Sequence, residues 1–102
     1  MAIVQVSIVP LGTGTTSASQ YVARALSILE NEKEVAYQLT PMATIIEGDL
    51  DKLLSTVSEM HESAFDEKVQ RVLTTITIDD RRDRTATMES KVKSVRNKLG
   101  KR

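Results

Sequence analysis

Apolar and polar residues alternate at the start of the chain and predict a first strand over residues 3–9. One side of this strand is apolar and carries Val4, Val6 and Ile8. The other side is mixed and carries Ile3, Gln5, Ser7 and Val9. Pro10 and the loop LGTGTT are expected to end the strand.

Helical spacing appears in three later segments. Ser17 and Gln20 match a capping box before a stripe formed by Val22, Ala25, Leu26 and Leu29. Asp49 is a suitable N-cap for a second helix, whose stripe is Leu50, Leu53, Leu54, Val57, Met60 and Phe65. Thr85 is the predicted cap of a third helix, with an apolar face of Met88, Val92, Val95 and Leu99.

Three further strands are predicted. Residues 35–39 and 42–47 flank Thr40 and Pro41, which favours a tight antiparallel hairpin or one bent ribbon. Residues 69–79 form the longest strand, with a core row of Val72, Ile76 and Ile78 interrupted by Thr74. Its alternate row carries Arg71, Leu73, Thr75 and Thr77.

The resulting order, β-α-β-β-α-β-α, predicts an α+β fold. Its first six elements form the split βαβ, or ferredoxin-like, pattern, and the third helix is an addition. We therefore expect residues 1–102 to form one two-layer sandwich, with an antiparallel sheet and all three helices on one face.

The other face of the sheet would then have no cover. Its expected residues are apolar or hydroxyl-bearing and include Ile3, Gln5, Ser7, Leu73, Thr75 and Thr77, together with Thr44. The few charges in this row favour a face covered by another subunit or by a small ligand. A solvated face with threonines that favour strands is the alternative.

Charge and composition limit the functions that are possible for this chain. Fourteen basic and fourteen acidic residues cancel, so no net charge favours nucleic acid or an anionic membrane. The absence of cysteine excludes disulfides, thiolate metal sites and a cysteine nucleophile. The start of the chain does not resemble a signal peptide, and no segment is long enough to cross a membrane, which agrees with a cytoplasmic protein.

Four segments together resemble the thiamine-binding protein family related to YkoF. They are Pro10-Leu11-Gly12-Thr13, Ser19-Gln20-Tyr21-Val22, Pro41-Met42-Ala43-Thr44-Ile45-Ile46-Glu47-Gly48, and Arg71-Val72 leading into Ile78-Asp79-Asp80-Arg81-Arg82. The resemblance implies a ferredoxin-like fold and subunits that pair through their sheets, usually into tetramers. It also implies binding of thiamine or its hydroxymethylpyrimidine part at a subunit interface. We expect no catalysis, since the sequence shows no nucleophile paired with a base, and we expect no cofactor. Glu34 and Lys68 depart from the family, in which glycine is usual at both places.

Five residues are the candidate ligand contacts: Gln5, Ser7, Thr44, Glu47 and Thr75. Glu47 could bond an aminopyrimidine or attract a thiazolium cation. It could equally be a charge placed near the N-terminus of the next helix.

The other candidate sites are better explained by structural roles than by catalysis or metal binding. His61, the only histidine, has no second histidine to join it in a metal site. Asp79, Asp80 and Asp83 alternate with arginines at 81, 82 and 84, which predicts a local ion network rather than a magnesium site. The loop over residues 12–17 precedes a helix and could hold an anion, but it lacks the lysine of a P-loop.

Three other function classes are alternatives to a thiamine carrier. An acylphosphatase-like enzyme would need an arginine in the first loop, which this chain lacks. An RNA-binding module would need aromatic residues on its central strands, and residues 69–79 contain none. A structural or regulatory oligomer that binds another small molecule cannot be separated from a thiamine carrier by sequence.

Overall fold

The computed structural model describes residues 1–12, 14, 19–83 and 87–100. Its elements follow the predicted order: β1 (Ala2–Leu11), α1 (Ser19–Glu30), β2 (Ala36–Leu39), β3 (Thr44–Gly48), α2 (Leu50–Ser63), β4 (Arg71–Asp80) and α3 (Met88–Gly100). The predicted capping residues Ser17 and Thr85 lie outside the described residues. None of the helices in the described part of the chain is both long and apolar enough to span a membrane.

The four strands form one antiparallel sheet in the order β2-β3-β1-β4. This order confirms the ferredoxin-like α+β fold. The register places Val4 between Ile46 of β3 and Ile78 of β4. Residues directly opposite one another share a face, so these three side chains form one row beneath the helices.

The core lies between this row and the helices α1 and α2. Leu29, Leu53 and Met60 are buried against Val4 and Ile46. Three members of the first two predicted stripes, Val22, Leu54 and Phe65, are instead more than a third exposed, and Tyr21 is buried on α1.

The prediction that α3 shares the helical face is wrong. Its first turn is held by Glu47 of β3 and Asp79 of β4, and both pair with Ile3 on the opposite face of the sheet. The Glu47 carboxylate accepts a hydrogen bond from the Met88 backbone N–H at 2.8 Å, and Lys91 donates to Asp79. The predicted apolar stripe of α3 is not buried within the chain.

The expectation that Pro10 ends the first strand is also wrong, because β1 continues to Leu11. Pairing with β3 stops at Val6, whereas pairing with β4 runs on through Pro10 and Leu11. Beyond Val6 one side of β1 is an edge, where a missing backbone N–H removes no ladder bond.

Several turn residues follow simple steric rules. Asp49 occupies the N-cap position of α2 with extended backbone angles, but its side chain makes no capping bond. Among the described residues only Gly12 and Gly14 have positive φ, so Glu34 and Lys68 do not adopt the left-handed conformation. A Cβ on Gly48 would lie 3.0 Å from the Glu34 carbonyl oxygen, which explains why β3 ends on a residue without a side chain.

Candidate functional site

The open face of the sheet carries most of the predicted ligand residues. Gln5 lies opposite Thr77, and Ser7 lies opposite Thr75, which confirms that these four residues share one face. Gln5, Thr75 and Thr77 are exposed. The polar row therefore exists and is uncovered in the single chain.

One end of this face is covered by the first turn of α3. Glu47 and Asp79 flank Ile3 and bind residues Met88 and Lys91 of that turn. The Glu47 carboxylate thus satisfies a free N–H at a helix start, where a negative charge is favoured. The helix it serves is α3 and not α2, the next helix along the chain.

Thr44 does not lie on the open face, and its predicted placement is wrong. It pairs with Val6 and Leu39, and it is only 8% exposed on the side of the helices. The reason is register: Ile46 must face the core, and every second residue of a strand shares its face. Thr44 is therefore separated by the sheet from the row of Gln5 and Thr75.

Thr44 instead lines a cavity of about 410 Å³ between α1 and the β2–β3 hairpin. The cavity walls are mainly apolar and include Tyr21, Ala25, Met42 and Met60. Met42 is 87% exposed at the hairpin tip, so one wall is a long, unanchored side chain. A cavity of this size and polarity is typical of small-molecule sites.

The polar residues that line this cavity all carry hydroxyls: Ser7, Ser19, Tyr21, Thr40 and Thr44. Among the described residues, none forms a hydrogen bond with the Thr44 hydroxyl. Every fully buried side-chain N or O atom in this part of the chain does have a partner, so the Thr44 oxygen is not fully buried. Because Thr44 lines the cavity, its hydroxyl is accessible from there. The Thr40 hydroxyl is occupied by the backbone of Ala43, at 2.8 Å to its oxygen and 3.1 Å from its N–H. Thr44 is therefore the side chain best placed to orient a ligand.

Tyr21 links the cavity to a polar cluster on the helical side. Its hydroxyl donates to Asp66 at 3.4 Å, and the Arg24 guanidinium lies 4.9 Å from its ring centroid. Asp66 also binds Arg24 at 3.1 Å and the backbone N–H groups of Lys68 and Val69 at 2.8 and 2.9 Å. These bonds lower the pKa of Asp66, with the Lys68 N–H as the largest cause.

Sequence reasoning missed Tyr21. The available signal was its position one helical turn before Ala25, in a chain with only three aromatic residues. Burying one of these few large side chains fills space that the aliphatic residues of α1 leave open.

A second concavity, of about 650 Å³, separates α3 from the β2–β3 edge. Its lining includes Tyr37, Gln38, Glu47, Lys93 and Arg96. The sequence did not reveal this groove, because it exists only when α3 lies on the side of the open face.

The other predicted features have structural partners. The Nδ1 atom of His61 lies 2.6 Å from the Thr74 hydroxyl, and its ring packs edge-on against Phe65. Arg81 binds Asp83 and Arg82 binds Asp80, the latter lowering the pKa of Asp80. No group of three or more histidine or carboxylate residues in the described ranges is arranged to hold a metal. Arg84 and most of the loop over residues 12–17 lie outside those ranges.

Comparison with known proteins gives a consistent result. The model of the family "Thiamine-binding protein" matches residues 4–96. UPF0045 protein YqgV of Bacillus subtilis is 49% identical over 97% of this chain and 98% of that protein.

Solved structures agree with this match. The structure of protein MJ1052 of Methanocaldococcus jannaschii has a TM-score of 0.84 at 34% identity, covering 92% of this chain and 94% of that one. A candidate thiamine biosynthesis or salvage protein of Thermotoga maritima has a TM-score of 0.74 at 20% identity, covering 92% and 97%. At this lower identity the likeness shows the fold alone. The resemblance noted in the sequence is thus confirmed, and the chain belongs to the thiamine-binding protein family.

Proposed function

We propose that this protein binds thiamine or its hydroxymethylpyrimidine part without catalysis, as a cytoplasmic carrier, sensor or buffer. The family match supports a thiamine-like ligand. The position that we propose for the ligand rests on a single observation, the cavity of about 410 Å³ beside Thr44. The ligand would then lie on the side of the helices, and not on the open face where Thr44 was expected.

The chemistry of the cavity suits a neutral heterocycle. Its apolar walls would bury a pyrimidine ring, and the accessible Thr44 hydroxyl would bond a ring nitrogen or the amino group. Tyr21 is the only titratable residue among the described residues that line it. This lining presents no nucleophile beside a general base, which supports binding without chemistry.

The open face has a different role in this proposal. Gln5 and Thr75, with the exposed Leu73, would pair with the same face of a second subunit, and two such pairs would make a dimer of dimers. Ser7 belongs to both regions, because it pairs with Thr75 and also borders the cavity. Subunit pairing would therefore bring a second chain close to the ligand, with Glu47 at the far end of the face.

Calorimetric titration with thiamine and hydroxymethylpyrimidine tests both the ligand and its place. Thr44→Val keeps the side-chain shape and removes the hydroxyl, so we expect affinity to fall about threefold to tenfold, the loss of one hydrogen bond. Thr75→Val is the matched control on the open face and should leave affinity unchanged.

Two results would contradict the proposal. Absence of binding at millimolar ligand would reject thiamine and favour a structural or regulatory oligomer that binds another molecule. Weakened binding in Thr75→Val, with Thr44→Val unaffected, would return the ligand to the open face.

A further inference from the structure

Methionine is the only sulfur-containing residue type in this chain. The sequence has four methionines and no cysteine, so an oxidant that reacts with sulfur meets only thioethers. The four differ widely in exposure: Met42 is 87% exposed, Met1 is 62% exposed, Met88 is half-buried and Met60 is 1% exposed. Met42 is therefore the methionine most accessible to a small oxidant such as hydrogen peroxide.

Two of these methionines line the same cavity. Met60 contributes to the cavity beside Thr44 from α2, and Met42 contributes from the tip of the β2–β3 hairpin. Met60 is part of the core and is a fixed portion of the wall, whereas Met42 is open to solvent. The cavity thus has one methionine that an oxidant can reach and one that is protected by burial.

The backbone at the hairpin tip is held by hydrogen bonds. The Thr40 N–H donates to the Ala43 carbonyl oxygen at 2.9 Å, and the Thr40 hydroxyl bonds both the oxygen and the N–H of Ala43. These bonds close the turn around Pro41 and Met42, and the proline ring restricts it further. The flexible thioether of Met42 is thus the movable part of the cavity wall, and it can adapt its shape to a bound ring.

We infer that Met42 is a site of reversible oxidation, and that its sulfoxide weakens the binding of a ring in the cavity beside Thr44. The Met42 sulfur attacks one oxygen of hydrogen peroxide, and the O–O bond breaks. The transferred oxygen stays on sulfur and gives its proton to the departing hydroxide, which leaves as water. The sulfur loses two electrons and the peroxide gains them. A methionine sulfoxide reductase with a thiol as its reductant would restore the thioether.

The effect on binding follows from polarity. Oxidation turns an apolar side chain into a polar one with a strong acceptor oxygen, and burying that oxygen against an apolar ring is unfavourable. If the sulfoxide turns outward, the ring loses one wall of its cavity. If it turns inward, it competes with the ring for the Thr44 hydroxyl. The identity of the ring rests on the proposed function, whereas the oxidation of Met42 does not.

Limited treatment of the whole protein with hydrogen peroxide, followed by peptide mass spectrometry, tests the selectivity. We expect Met42 to be oxidised at least about tenfold faster than Met60, because the Met60 sulfur becomes accessible only when the core opens. Far-ultraviolet circular dichroism should show that the oxidised protein keeps its fold.

Titration of the oxidised and the unoxidised protein tests the effect on binding. One probe is hydroxymethylpyrimidine, and the other is benzene, a ring without polar groups that can enter apolar cavities. Changes in the nuclear magnetic resonance signals of Ala25 and Thr44 locate either probe in the cavity. We expect oxidation to lower affinity about fourfold or more, which corresponds to the loss of one buried methylene group from the contact.

Two variants assign the effect to one sulfur atom. Met42→Leu keeps an apolar side chain of similar volume and removes the sulfur, so its affinity should be the same before and after peroxide treatment. Met88→Leu is the matched control, because Met88 lies at the start of α3 and does not line the cavity. This control should lose affinity on oxidation as the unmodified protein does.

Three results would overturn the inference. They are equally fast oxidation of Met42 and Met60, equal affinity before and after oxidation of Met42, and an equal loss of affinity in peroxide-treated Met42→Leu. Binding of benzene without binding of hydroxymethylpyrimidine would reject only the proposed ligand. Absence of binding of either probe to the unoxidised protein would reject both the proposed function and the inference.

Discussion

At the scale of single residues, Asp66 joins parts of the chain that are distant in sequence. Its carboxylate binds Arg24 of α1, which lies 42 positions earlier in the sequence. It also accepts hydrogen bonds from the backbone N–H groups of Lys68 and Val69, in the turn that Asp66 begins. The ion pairs of Arg81 and Arg82, by contrast, join residues two positions apart. Asp66 therefore connects α1 to the segment between α2 and β4.

We predict that Asp66→Asn lowers stability near neutral pH and that the difference shrinks in acid. The pKa of Asp66 is lowered in the folded protein, so its contribution is present above the unfolded value of about 3.9 and is lost as pH falls through the folded pKa. Urea denaturation at a series of pH values measures this.

Glu67→Gln is the control for this experiment, because Glu67 is the exposed neighbour of Asp66. Its stability should follow that of the unmodified protein across the series. A constant difference between Asp66→Asn and the unmodified protein, from neutral pH down to strong acid, would show that the Asp66 charge does not contribute.

The sequence alone could not predict which face of the sheet Thr44 occupies. Periodicity correctly separated Thr44 and Ile46 from Ile45, but it could not say which of the two sets faces the helices. That choice depends on pairing with Val6 and on burial of Ile46, which are properties of the assembled sheet. The row of Gln5, Ser7, Thr75 and Thr77 was predictable because β1 and β4 have one face that is clearly more polar.

At the scale of elements, α3 is attached to the body by its first turn. The Glu47 carboxylate binds the Met88 N–H, and Lys91 binds Asp79, whereas residues 89–100 are exposed throughout. The element itself was predictable from its apolar spacing. Its location was not, because the residues that hold it come from two other strands.

We predict that Glu47→Ala loosens α3 and leaves the rest of the fold intact. Loss of a side chain that satisfies a helix N-terminus costs about 1 kcal/mol, which corresponds to about fivefold faster amide exchange at the start of α3. Hydrogen exchange resolved by residue measures this, with amides of β1 and β3 as the internal reference.

The control for this prediction is Glu62→Ala, which removes an exposed carboxylate from α2, on the other side of the sheet from α3. Exchange in α3 should be unchanged in this variant. Unchanged exchange in Glu47→Ala as well would mean that the Glu47 contact does not hold α3.

At the scale of the whole molecule, three surfaces are separated in space. The cavity beside Thr44 lies on the side of the helices, the polar row of Gln5 and Thr75 lies on the opposite face, and α3 extends from one end of that face. The sequence predicted one site that combined ligand and subunit contacts. The structure instead allows the ligand to bind on one side of the sheet and a subunit on the other.

The ferredoxin-like order itself was predictable because each element has a clear local signal. Strand alternation, helical stripes and turn residues agreed for most elements, with Pro10 as an exception, and right-handed crossovers then leave few topologies. Cavities and contacts between distant elements have no such local signal, which is why the cavity and the groove beside α3 were missed.

A crystal structure of the assembled protein with bound hydroxymethylpyrimidine would show on which side of the sheet the ligand lies. We expect the pyrimidine ring to lie between α1 and the β2–β3 hairpin, with a ring nitrogen or the amino group within hydrogen-bond distance of the Thr44 Oγ1 atom. A ring bound only against Gln5 and Thr75 on the open face, with the cavity beside Thr44 empty, would contradict it.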